Sequence, residues 1–142
     1  MKFLKLTLVL ALISVTSSLK AQTTNFQAYS VFVFSIAKYS NWPSHEGEFK
    51  IVVVGKSKVY DELSKVATQK DINGMKLVVT QADELSQIGD ANIVYVSDGK
   101  SSVLEDVLKA TQGKPVMIIT EREGLFKKGA GFSFLVLDNS TL

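Results

Sequence analysis

Five short apolar runs recur along the chain: FKIVVVG at 49–55, MKLVVT at 75–80, NIVYVS at 92–97, PVMIIT at 115–120 and GFSFLVL at 131–137. They are rich in β-branched and aromatic residues and bounded by glycine, asparagine or serine, as strands are; the most continuous, at 49–55, reads as buried on both faces. Between them, 57–68 spaces Val59, Leu63, Val66 and Ala67 as the inner face of a helix. A further helix is expected over 101–110, capped by Ser101 or Ser102, and a short acidic one near Asp83. Strands alternating with helices require right-handed crossovers. The expected fold is therefore α/β, a three-layer α/β/α sandwich around a largely parallel open sheet of about five strands. The KKGAG connection before the last run has little room for a helix, which leaves an antiparallel last strand open.

Ahead of the first strand, Thr23 and Thr24 can cap a helix over 25–40 whose apolar residues Phe26, Tyr29, Val33, Ile36 and Ala37 follow three- and four-residue spacing. Phe32 and Tyr39 are expected to widen that stripe. Asn41 tolerates the left-handed conformation that ends a helix, and Pro43 drives Trp42 out of the α region, so the corner at Trp42-Pro43 is written locally. Packing of Trp42 against the sheet explains the corner, while Tyr39 and Trp42 together are also the kind of aromatics that anchor a partner.

The first 21 residues are expected to be a secretory signal peptide: lysines at 2 and 5, an apolar stretch over 6–15, and Ala21 before the cut. That stretch is too short to span a bilayer. Removing it takes three of the 16 basic residues and none of the 14 acidic ones, so the single domain expected over 22–142 carries a net charge near −1. Such a chain lacks the basic field that nucleic acid or anionic membrane demands. With no cysteine, it has neither a lipidation site nor a disulfide. The expectation is a periplasmic, non-anchored protein.

Gly-Lys-Ser occurs at 55–57 and at 99–101, each between a strand and a helix. A phosphate-cradling loop needs a glycine five residues earlier, where this chain has Lys50 and Val94, so both read as a strand-exit glycine followed by a serine cap. In open parallel sheets, however, ligands bind beyond the carboxyl ends of the strands, at helix starts that favour anions. A strand order reversing there would set Gly55, Lys56 and Ser57 opposite Ser97, Asp98, Gly99 and Ser101, around a small anionic ligand. GAG at 129–131 precedes a strand rather than a helix and reads as a tight turn. His45 is a lone loop histidine among polar residues. Glu121 and Glu123 follow the fourth strand with no partner base or metal cluster, and read as helix-start or partner-facing charges. No catalytic constellation and no cofactor motif is present.

In order, AKYSNWP, FKIVVVG, INGMKLVVT, ANIVYVS, GKPVMIITEREGLFKKGAGFSF and LVLDN resemble the YfiR/HmsC-like family, from Thr24 to Leu142. The resemblance implies a non-enzymatic regulator outside the cytoplasmic membrane. Such a regulator binds the periplasmic part of a membrane-anchored diguanylate cyclase, or of a sensor kinase, and holds it inactive, controlling cyclic-di-GMP and biofilm. A homodimer is a further expectation. Two departures stand out. The cysteines that stabilise the well-studied type are absent here, which excludes redox control, and the chain stops at Leu142, where the family continues with a strand and a helix. Without these, one sheet face is expected to be weakly covered or buried by a second copy.

Overall fold

The computed structural model describes residues 25–44 and 46–134. The signal peptide, the Thr23 and Thr24 cap, His45 and the run beyond 134 lie outside the described residues. Helix α1 covers 25–39. There follow β1 (Glu48–Val54), α2 (Lys58–Ala67), β2 (Asp71–Ile72), β3 (Met75–Ala82), β4 (Ile93–Val96), α3 (Leu104–Thr111), β5 (Met117–Thr120) and β6 (Phe132–Ser133). Short 3-10 turns sit at Leu85–Gln87, Asp98–Val103 and Leu125–Lys128.

The six strands form one sheet in the order β2-β3-β1-β4-β5-β6. All neighbouring pairs are parallel except β2 with β3. The expected α/β sandwich is thus present, with one correction to its edges. The described part of the last strand runs parallel to β5, and the antiparallel strand is β2 at the opposite edge. The physical reason is the Asn73-Gly74 pair. Both residues take positive φ, 53° and 88°, the primed-turn geometry that folds β2 back onto β3 as a hairpin.

Alternation along the strands separates two core layers. Phe49, Ile51, Val53, Ile93, Tyr95 and Ile119 face α1 and α2 together with Tyr29, Val33, Ala37 and Leu63. Val52, Val54, Val94, Val96 and Ile118 face Leu104 and Val107 of α3 and Leu125 of the last 3-10 turn. Ser57 caps α2, accepting a hydrogen bond from the Val59 amide. The second Gly-Lys-Ser does not repeat this. Its serines sit inside the 3-10 turn, α3 starts at Leu104 without a side-chain cap, and Ser101 donates to the Asp98 carbonyl instead.

On α1, Tyr29, Val33 and Ala37 are buried, but Phe32 and Tyr39 lie on the outer face rather than widening the inner stripe. Tyr39 follows Ala37 by two residues, about 200° around a helix, so the pair cannot share a face. Trp42 is 6% exposed. Its ring meets Phe49 edge-on at 4.9 Å, and its Nε1 donates to the Ala37 carbonyl at 2.7 Å.

Candidate functional site: a crevice at the switch point

The five parallel strands alone run β3-β1-β4-β5-β6, so successive connections leave β1 in opposite directions and open a gap between the carboxyl ends of β1 and β4. An open crevice of about 500 Å³ occupies this place. Lys56, Ser57 and Lys58 line it from the β1–α2 connection, Asp98 and Gly99 from the end of β4, and Glu121 from the end of β5. Asn25, Phe26 and Tyr29 close it from the start of α1.

Glu121 ties the three strand ends together. Its Oε1 accepts from the Ser57 hydroxyl at 3.1 Å and its Oε2 from the Asp98 amide at 2.8 Å. Asp98 turns its own carboxylate outward to the Arg122 guanidinium, Nε to Oδ1 2.8 Å. Burial raises the Glu121 pKa above the ordinary carboxylate value, and the two hydrogen bonds oppose that only in part. A carboxylate raised in this way adds stability below its ordinary pKa, and the contribution is lost as pH rises through the raised value. Glu121→Gln is therefore expected to match or exceed the wild-type melting temperature at neutral pH, with the gain shrinking in acid. A variant less stable at neutral pH than in acid, relative to wild type, would contradict this.

Beneath the crevice lie two buried hydroxyls that find no hydrogen-bond partner among the described residues, those of Tyr95 and Ser97. Tyr95 is 0% exposed. Its pKa is pushed far up, first by burial and then by the charges of Glu121 and Tyr29. Ser57, also close to it, gives its proton to Glu121. Gly55 stands at the turn out of β1 with φ of 84°, and a Cβ there would come within 2.5 Å of Ser97 Oγ and would run into Lys100 Cγ. Gly55→Ala is expected to cost about 1–3 kcal/mol from the positive φ alone, measurable by urea unfolding. A neutral result would show that the turn relaxes freely.

Of the residues singled out from sequence, Lys56, Ser57, Asp98 and Gly99 come together on the crevice, with Gly55 and Ser97 behind it. Ser101 does not join them and borders a separate hollow with Leu104 and Lys128. Among the aromatic candidates, Tyr39 is 81% exposed, whereas Trp42 is inside the core and offers no surface to a partner in this conformation. Tyr39 follows Lys38, whose carbonyl accepts from Asn73 of the β2–β3 turn, far along α1 from its crevice end. Glu121 and Glu123 also separate: Glu121 is half-buried in the crevice and Glu123 is exposed. Neither starts an α-helix. The sequence reading missed Tyr29, Phe26 and Tyr95, whose core-like spacing gives no hint of a site. It also placed Glu121 on the surface, although a carboxylate one residue past a central parallel strand was a signal for the crevice.

The carboxylate of Glu121 already takes one amide and one hydroxyl donor, of Asp98 and Ser57, that an anion would use. Among the described residues, no group of three or more His, Cys, Asp or Glu side chains could hold a metal ion. No helix among them is long and apolar enough to cross a membrane. Fold and site thus define a three-layer α/β domain with a polar crevice at its topological switch point. The chain belongs to the YfiR/HmsC-like family, whose model matches residues 26–141. Proteins of that family are periplasmic, and they are regulators rather than enzymes. A comparison with curated proteins returns no match.

Proposed function

We propose that this chain is an exported periplasmic regulator that binds the periplasmic part of a membrane-anchored diguanylate cyclase, or of a related sensor kinase, and represses it. Cyclic-di-GMP production and biofilm formation would be the output. The observation that carries this reading is the family match over nearly all of the described residues.

Exposed side chains on α1 support this reading. Val31, Phe32 and Tyr39 are all exposed, and Phe32 and Tyr39 are seven residues apart on α1, which places them on one side of the helix. Large aromatics on a rigid helix face supply contact area at low entropic cost, and interfaces use them as anchors. Tyr39 keeps the partner-facing role here, and Trp42 supports it from within by fixing the end of α1. The same stripe would serve a second copy of the chain if the regulator is a homodimer.

The test is to isolate the membrane protein with a periplasmic domain that co-purifies with the chain, mix the two and follow cyclase or kinase activity. Repression is expected, weakened about tenfold or more by Phe32→Glu or Tyr39→Ala at an unchanged melting temperature. A sensor whose activity ignores the chain would refute the reading.

A further inference from the structure

We propose that the switch-point crevice binds a small organic cation, a protonated amine carried on an apolar body, with Glu121 as its counter-ion and Phe26 and Tyr29 as its wall. This rests on the crevice being a ligand site, and it reverses the ligand charge that helix starts alone would favour.

Three observations support the sign. First, one hydroxyl and one backbone amide at the strand ends, those of Ser57 and Asp98, are occupied by Glu121 itself, so an incoming anion meets a carboxylate at that point. Second, none of the ion pairs among the described residues includes Glu121; Arg122, the nearest in sequence, is engaged with Asp98. A half-buried carboxylate with two donors and no cation retains acceptor capacity that an ammonium group can use. Third, the rings of Phe26 and Tyr29 meet edge to face at 6.0 Å beside it, and aromatic faces attract desolvated cations.

The Tyr95 hydroxyl is the independent sign that something enters from the crevice. Its ring is packed in the core, with Phe134 at 6.4 Å, while the polar groups that act on its hydroxyl, Glu121, Tyr29 and Ser57, all line the crevice. A buried hydroxyl left without a partner is uncommon in a folded protein, and a ligand donor or its accompanying water is the group that would satisfy it. An organic cation fits better than a metal ion, because the crevice offers a single half-buried carboxylate beside hydroxyls and rings, while the other charged side chains on its lining, Lys56, Lys58 and Asp98, are exposed.

Calorimetric titration of the full chain with benzylamine, benzoate and inorganic phosphate tests this. Benzylamine is expected to bind, and the two anions are not. Glu121→Gln is expected to weaken benzylamine roughly ten- to hundredfold while the melting temperature holds. Affinity is also expected to fall in acid as Glu121 is protonated. The other charged or titratable groups facing it are Asp98, Arg122, Tyr29, Tyr95, Lys56 and Lys58; the ion pair with Arg122 holds Asp98 low and Arg122 high, and burial holds Tyr29 and Tyr95 high. Tyr95→Phe, a second variant that leaves the carboxylate in place, should weaken benzylamine severalfold. Absence of benzylamine binding, equal binding by Glu121→Gln, or tighter binding of benzoate or phosphate than of benzylamine would each overturn the proposal. Repression of the sensor by the unliganded wild-type chain is a separate readout, so a failure of amine binding leaves the regulatory reading standing.

Discussion

Trp42→Ala is expected to lower the melting temperature by on the order of 10–20 °C, the largest effect of any single substitution considered, corresponding to about 3–5 kcal/mol. The indole is 6% exposed and packs edge-on against Phe49 at the start of the sheet. Its N–H satisfies the Ala37 carbonyl, one of the acceptors that the end of α1 leaves without an intrahelical donor. Removing the ring opens a cavity and strands that carbonyl together. Trp42→Phe should retain most of the packing and lose about 1–2 kcal/mol with the hydrogen bond. Thermal unfolding followed by circular dichroism separates the outcomes. If Trp42→Ala melts with the wild type and loses only its sensor, the ring is an interface residue and the packing account is wrong.

Tyr95→Phe is expected to act in the opposite direction, raising stability by about 1–3 kcal/mol. The side chain is fully buried, and its hydroxyl has no hydrogen-bond partner among the described residues, so deleting the oxygen removes a desolvation cost and leaves the ring packing in place. Urea unfolding at neutral pH measures this, since the shift should appear in the midpoint and not in the slope. A destabilised variant would mean that the hydroxyl is satisfied in the native state. A stabilised variant with weaker benzylamine binding would mark Tyr95 as a residue retained at the expense of stability, as functional sites commonly are.

The legible parts of the fold were those encoded by local periodicity. The apolar run at 49–55, the helical spacing of Val59 and Leu63, and the proline after Trp42 each state their local structure within a few residues. The hairpin of β2 was legible too, in Asn73-Gly74, but a two-residue strand is too short to show alternation and was passed over. The 3-10 turn over Asp98–Val103 was not legible. Serines at 101 and 102 look like helix caps by type, and only the Ser101 bond to Asp98 shows that the turn was already closed.

The candidate site divides in the same way. Lys56, Ser57, Asp98 and Gly99 could be nominated because chain order places them just past strands, and the switch-point rule then gathers them if the strand order reverses. Glu121 looked like a surface charge because nothing in EREG indicates that its carboxylate turns inward to Ser57 and Asp98.

By itself, the sequence determined the class of fold, the family and the corner at Trp42, because strand and helix periods, glycine turns and proline restrictions act over a few neighbouring residues. Only the tertiary structure decided that the last strand is parallel and that Phe32 and Tyr39 face outward while Trp42 faces in. It alone set a carboxylate where an anion was expected. These depend on which strand ends meet across the sheet, between residues 23 and 64 positions apart in the chain. The electrostatics of a crevice are fixed by that meeting and not by the local sequence of any one wall.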